Sequence, residues 1–225
     1  MPRFATIDQL EALHCKLIKC CRIKCPKPLA KYAVFVDGTN DPEAQGQLVP
    51  INIGPVALEL TDVTLGASHR VGDAFVAPRS AIYSAHAALE WELVNAVCGA
   101  AYTVTFFVFA ERVDAVPVQL ARQQHNISAQ EQSRRSQTLI ALHTVPAGWG
   151  VRVRVAFAGP QVPTLLRVVG KAGSESARRS VLNIIEQETC PCLTACIESC
   201  GVKAPTSECV RACCQTTGCA CDECP

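Results

Sequence analysis

The chain has 225 residues, of which 49% are hydrophobic and 18% charged, so it is long enough for a folded domain with extensions and too apolar for global disorder. Its net charge of +1 gives no electrostatic reason to expect nucleic acid as a partner. Because no apolar run reaches the roughly 18 residues of a transmembrane helix, we also expect no membrane insertion.

The first 31 residues predict a helical, cysteine-containing connector. Thr6 and Gln9 form a capping-box pattern, and apolar residues recur three or four positions apart over residues 6–25. Pro26 and Pro28 then end the helix. Two interpretations stay open for this segment. It is either an amphipathic helix that packs on its own domain or one member of a short helical bundle between subunits.

Residues 32–188 show the pattern of a β domain. Residues 151–157 alternate strictly, with valines and a phenylalanine facing inward and Arg152 and Arg154 facing outward. The polar stretch Gln123–Arg135 is predicted to be a loop. Eight to ten strands with turn residues between them and no intervening helices predict an all-β antiparallel sandwich. The predicted strands cover residues 32–36, 49–53, 56–60, 82–91, 102–109, 116–120, 138–142, 151–157, 165–169 and 180–185, and the short run 74–76 leads to Pro78.

The cysteine-rich segment 189–225 changes to a helical period. Cysteines recur four residues apart at 192, 196 and 200 and again at 209 and 213, and residues at this spacing share one face of a helix. Residues 201–206 have the composition of a turn. We therefore predict a helical hairpin in which Cys196 and Cys200 face Cys213 and Cys209, followed by a compact tail.

The order of motifs in the β domain resembles a known family. The segment with Phe75, Pro78, Ala81 and Tyr83 is similar to the F-x-x-P-x-x-G-x-Y start of a strand in the C1q/tumour-necrosis-factor-like jelly roll, with Ala81 in the place of the usual glycine. Segments 107–113, 139–155 and 180–185 resemble later strands and turns of the same family.

This resemblance implies a ten-stranded jelly roll that forms homotrimers around an apolar axis. Bacterial members of the family include the heads of collagen-like filaments on the spore surface. The chain has no Gly-X-Y repeat, and its cysteine-rich segments stand where such members have a collagen-like stalk.

The sequence shows no pattern of an enzyme. Its five histidines are scattered, and no nucleophile elbow, phosphate-binding loop or dinucleotide fingerprint is present. His86 is expected to be a core or intersubunit polar contact. Cys98 is expected to be a buried or unpaired thiol, because it has no histidine or basic neighbour in sequence. We expect no catalytic residue and no cofactor.

Fourteen of the fifteen cysteines lie near the chain ends. The total of fifteen is odd, so at least one cysteine has no partner in its own chain. The spacing of Cys219, Cys221 and Cys224 is compatible with ligands of zinc. The repeated four-residue spacing of the other C-terminal cysteines favours disulfides between helices. Disulfides persist mainly in oxidising compartments, yet the first residues do not have the pattern of a secretory signal. Zinc binding inside a cell, secretion by an unusual route, or oxidation after release, as for a spore-coat component, would each reconcile these observations.

The sequence therefore predicts a structural subunit with an extracellular or spore-surface location. A homotrimer would polymerise head to tail into a disulfide-crosslinked fibre or surface layer. Alternatives are a soluble trimeric module that binds receptors or carbohydrates through Gln123–Arg135, and an intracellular zinc-binding or thiol-redox protein. The candidates for disulfides within the hairpin are Cys196, Cys200, Cys209 and Cys213. The candidates for disulfides between subunits are Cys15, Cys20, Cys21 and Cys25 at one joint, and Cys190, Cys192, Cys219, Cys221 and Cys224 at the other.

Overall fold

The computed structural model describes residues 28–36, 46–63, 70–71, 73–128, 135–160, 164–170, 180–187, 189, 191–204 and 207–216. These residues form thirteen strands followed by two helices. The strands are β1 Pro28–Val36, β2 Gly46–Pro50, β3 Val56–Ala57, β4 Leu60–Val63, β5 Arg70–Val71, β6 Ala74–Val76, β7 Ala81–Val94, β8 Ala101–Glu111, β9 Val118–Ser128, β10 Arg135–Val145, β11 Gly150–Ala158, β12 Leu165–Val169 and β13 Val181–Gln187. The helices are α1 Pro191–Cys200 and α2 Glu208–Thr216.

The first sheet is built around β7. Strand β10 pairs along one side of β7 over residues 81–91, and β12 and β13 pair end to end along the other side. Strands β2 and β1 follow in the next position, where they pair with β12 and β13 respectively, and β4 pairs with the end of β1. All of these pairings are antiparallel.

The second sheet is built around β11 and β8. These two strands pair over nine residues, and β9 pairs with the other side of β8. Strands β6 and β3 lie end to end along the free side of β11, and β5 pairs with β6. This sheet is antiparallel as well.

The chain crosses repeatedly between the two sheets. It leaves the first sheet after β7, forms β8 and β9 in the second, returns for β10, crosses to β11 and returns again for β12 and β13. Such crossings over two packed antiparallel sheets define a jelly-roll sandwich. The structure thus confirms the predicted all-β antiparallel jelly-roll sandwich with a C-terminal helical hairpin.

Side chains from the inner faces of both sheets form one core. The inward residues of β11 are buried in alternation as predicted, and β8 contributes Val104, Phe106 and Val108, which are fully buried. Trp91 of β7 packs on Phe106 with 5.9 Å between ring centroids. Because this core is large and continuous, the sandwich has no need of disulfides to stay folded.

Several predicted elements differ from the structure. The predicted loop Gln123–Arg135 is wrong for residues 123–128, which belong to the edge strand β9, and Arg135 already begins β10. The predicted strand 56–60 is divided into β3, which pairs with β11, and the start of β4, which pairs with β1. Leu58 lies between these two strands and is buried in the core. The predicted N-terminal helix over residues 6–25 lies outside the described residues.

Candidate functional site

The helical hairpin at the C-terminal end of the described chain carries the candidate site. Helix α1 begins at Pro191, a residue that suits the first helical position because it has no N–H to leave unpaired. It ends at Cys200, where Gly201 adopts φ of +70° and its N–H donates to the Ile197 carbonyl over 2.9 Å. Helix α2 is capped by Ser207, whose Oγ accepts from the Val210 N–H at 3.4 Å.

Two disulfides join these helices. Cys196 is bonded to Cys213 with 5.5 Å between Cα atoms, and Cys200 is bonded to Cys209 with 6.0 Å. These are the pairs that the four-residue spacing of the cysteines predicts for an antiparallel hairpin. The disulfides matter here because helices of ten and nine residues are too short to be stable alone.

The hairpin packs on the outer face of the first sheet, at the end where β7 begins. Ile82 of β7 is fully buried beneath Leu193, Cys196 and Ile197 of α1 and Val210 of α2. Since its neighbour Tyr83 points into the sandwich core, β7 is buried on both faces at this end. The hairpin is therefore a docked part of the fold.

Polar contacts fix the hairpin turn to the edge of β10. The Thr144 N–H donates to the Lys203 carbonyl at 3.0 Å, and the Lys203 N–H donates to Thr144 Oγ1 at 3.1 Å. The Thr144 hydroxyl is shared between the carbonyl oxygens of Gly201 and Lys203, at 3.0 and 3.1 Å. Thr144 is completely buried, so each of these bonds is shielded from water.

Ser80 connects the hairpin to the turn before β11. Its hydroxyl donates to Glu198 Oε1 of α1 at 3.2 Å and accepts from the Ala147 N–H at 3.0 Å. A cleft of about 550 Å³ lies beside this contact, and its lining includes the buried carboxylate of Glu186, whose Oε1 lies 3.0 Å from Arg79 Nε. Two carboxylates, a guanidinium and three hydroxyls make this lining more polar than that of a usual small-molecule pocket.

The remaining predicted site residues have different positions. Cys98 is an exposed free thiol in the loop between β7 and β8. Cys192 is half-buried in the first turn of α1. His86 is 8% exposed and its Nε2 lies 2.7 Å from Ser84 Oγ, which fits the polar contact expected for it. The other candidates, Cys15, Cys20, Cys21, Cys25, Cys190, Cys219, Cys221 and Cys224, lie outside the described residues.

In the part of the chain that the structure describes, no three side chains of His, Cys, Asp or Glu lie together as metal ligands would. Neither α1 nor α2 is long and apolar enough to cross a membrane.

Sequence reasoning missed Ile82, Ser80 and Thr144, the sandwich residues on which the hairpin docks. One signal was present for Ile82. The start of β7 has apolar residues at both odd and even positions, and such a run indicates a strand that is covered on both faces. Ser80 and Thr144 have no such signal, because their partners are more than 50 residues away.

Among solved structures, the chain is similar to Eiger TNF from S. frugiperda, with 8% sequence identity and a TM-score of 0.45 over 73% of this chain and 98% of that chain. At this identity the likeness concerns the fold alone. No protein-family profile matches the chain, and a search of curated proteins gives no match.

Replacing Thr144 by Val tests how the hairpin is held. We expect the free energy of unfolding to fall by about 1–3 kcal/mol, because the buried backbone groups of Gly201 and Lys203 lose their hydroxyl partner. Amide hydrogen exchange should increase in residues 201–204 and in α1. Ser128→Val, at an exposed position at the end of β9, is the control and should change neither quantity. Equal exchange in both variants would contradict the role given to Thr144.

Docking of the hairpin turn should also depend on pH. Burial lowers the pKa of His143 from its usual value, against the opposing effect of the Leu120 and Lys203 carbonyl groups. The unfolded chain therefore binds this proton at a higher pH than the folded chain does, and stability is lost as pH falls below about 6.5. Thermal melts between about pH 5 and pH 8 should show this loss in the wild type and a smaller one in His143→Gln. If the melting temperatures of the two proteins changed with pH in the same way, this role of His143 would be contradicted.

Proposed function

We propose that the chain is a structural subunit that associates with copies of itself and becomes crosslinked by disulfides into an extracellular fibre or surface layer. The observation that carries this proposal is the position of cysteine sulfur at both ends of one rigid sandwich. The exposed thiol of Cys98 lies at one end, and the cysteine hairpin lies at the other.

Strand β7 separates these two ends. The hairpin covers Ile82 near the first residue of this strand, and Cys98 follows its last residue, Val94. A strand of 14 residues spans about 43 Å at ~3.3 Å per residue. A link from one end of a copy to the other end of the next copy is heterologous, and it continues indefinitely unless its rotation closes a ring.

The number of cysteines also supports links between chains. The two hairpin disulfides use four of fifteen cysteines, and an odd total leaves at least one without a partner in its own chain. The N-terminal cysteines 15, 20, 21 and 25, and the C-terminal cysteines 190, 192, 219, 221 and 224, remain our candidates for the joints.

The outer face of the first sheet favours contact between copies before crosslinking. Between the hairpin and Glu90, the facing residues of β13, β7 and β10 carry no charged side chain, and Ser84 and His86 at the centre of this area are already more than nine-tenths buried in one chain. We propose that this face forms the centre of a homotrimer. Its facing residues are Ser84, His86, Ala88, Thr138, Ile140, Val181, Asn183 and Ile185, whereas Leu142 packs against the core beneath the hairpin.

The disulfides favour an oxidising location. We propose the extracellular space, with the surface of a spore as one setting in which subunits made inside a cell oxidise after release. The proposal gives the chain no catalytic activity and no cofactor.

A denaturing gel of native material, boiled with and without reductant and paired with negative-stain micrographs, tests the crosslinked assembly. We expect high-mass species that collapse to one 24.1 kDa band only with reductant, because disulfides survive boiling in detergent. A monomer band in both lanes and no filaments on the grid would contradict the proposal and favour a soluble binding module instead.

Replacing Ile140 by Lys tests the trimer separately. The half-buried Ile140 lies beside His86 in the proposed contact, so a buried charge there should convert a trimer to a monomer. Light scattering after size exclusion, with reductant present, measures the mass. Val76→Lys, at a half-buried position on the second sheet, is the control and should stay trimeric. A trimer in both variants would exclude this face as the contact.

A further inference from the structure

The two disulfides of the hairpin differ in their access to solvent. Cys196 is completely buried between Ile82 and Ile197, and its partner Cys213 is half-buried. Cys209 is exposed, and its partner Cys200 is half-buried. Thiol–disulfide exchange needs a thiolate to approach one sulfur in line with the S–S bond. Of the four bonded cysteines Cys209 is the exposed one, so we expect such an approach to reach it most readily.

Cys209 also lies where negative charge on sulfur is stabilised. It is the second residue of the nine-residue helix α2, two positions after the capping residue Ser207. Free N–H groups of a first helical turn carry partial positive charge and lower the energy of a nearby anion. Glu208, the first residue of the helix, opposes this effect. In the transition state of exchange, negative charge spreads over three sulfurs, so this position stabilises the transition state whether Cys209 is attacked or leaves, and the exposure of Cys209 assigns it as the attacked residue.

Ser199 provides a hydrogen-bond donor for the other sulfur of this pair. Its hydroxyl lies 3.8 Å from Cys200 Sγ and 3.6 Å from Cys213 Sγ, at the last turn of α1. Cys200 is at the C-terminal end of α1, where the helix dipole disfavours an anion. In the intact hairpin this hydroxyl donates to the Cys196 carbonyl oxygen at 3.0 Å. When it turns toward a thiolate on Cys200, it offsets this disadvantage and makes Cys200 a better leaving group.

From these three observations we propose that Cys200–Cys209 is the exchange site through which a cysteine thiolate of a second copy becomes linked to the hairpin. The incoming sulfur forms a bond to Cys209 Sγ, the Cys200–Cys209 bond breaks, and its electron pair leaves on Cys200 Sγ as a thiolate. The number of disulfides is unchanged, so no oxidant is consumed. This inference rests on the proposed function and names the residue at which the link forms.

The second disulfide lets the hairpin keep its place during this exchange. Cys196–Cys213 still joins α1 to α2 after Cys200 is released, and Ile82 stays covered. Linkage at Cys209 therefore requires no undocking of the helices from the sheet.

Reaction of the oxidised wild-type chain with reduced glutathione at about pH 8 tests the exchange site. The reaction is stopped with iodoacetamide, and tryptic peptides are mapped by mass spectrometry without reduction. Trypsin cleaves after Lys203 and Arg211, so peptide 204–211 contains Cys209 as its one cysteine. We expect glutathione on this peptide and carbamidomethyl on Cys200. The Cys196–Cys213 bond should stay intact, with an exchange rate lower by a factor on the order of ten or more.

Three outcomes would overturn the assignment: glutathione on Cys200 in place of Cys209, equal rates at the two disulfides, or faster exchange at Cys196–Cys213. Ser199→Ala should slow exchange at Cys209 by roughly three- to tenfold, the equivalent of one hydrogen bond. Thr194→Ala on the same helix is the control and should exchange at the wild-type rate. An unchanged rate in Ser199→Ala would remove the role of that hydroxyl.

Mapping the crosslinked native species separates this inference from the function on which it rests. If no chains are found linked to one another but glutathione still adds to Cys209, the proposed assembly is contradicted and the proposed exchange site is supported. If chains are linked by disulfides that never include Cys209, the exchange site fails and the assembly stands.

Discussion

Burial of β7 on both of its faces is the constraint on which the rest of the structure depends. Its odd-numbered residues, such as Tyr83 and Trp91, belong to the core between the sheets, while Ile82 on the opposite face is covered by the hairpin. β7 also has paired strands along both of its edges. One strand thus holds together the two sheets and the helices, and the position of the cysteine hairpin follows from it.

Apolar packing and disulfides stabilise different parts of this molecule. The sandwich buries enough side chains between its sheets to fold by the hydrophobic effect, whereas the small core around Ile82 has only two short helices above it. A crosslink that closes a loop of this size stabilises by roughly 2–4 kcal/mol, largely by restricting the unfolded chain. Loss of both disulfides therefore affects the docked hairpin far more than the sandwich beneath it.

Local periodicity was sufficient to predict much of the fold and of the hairpin. β11 alternates strictly because each of its faces has one environment, and the cysteine spacing specifies which helix positions face each other. β9 was missed beyond Leu120 because it is an edge strand, whose inward side chains at Gln123 and His125 are only half-buried and polar. The docking contacts of Ser80 and Thr144 join residues distant in sequence, so only the folded topology reveals them.

Differences in exposure within the hairpin separate a structural bond from a reactive one. A completely buried sulfur at Cys196 is protected by the same contacts that dock the helix, so reduction there first requires undocking. An exposed sulfur at Cys209 has no such protection. Cys98 follows the last residue of β7, a strand about 43 Å long, and the hairpin docks near its first residue, so one chain cannot bring Cys98 and Cys209 together. Any bond between these two residues must therefore join different copies, and each such bond adds one sandwich length to the assembly.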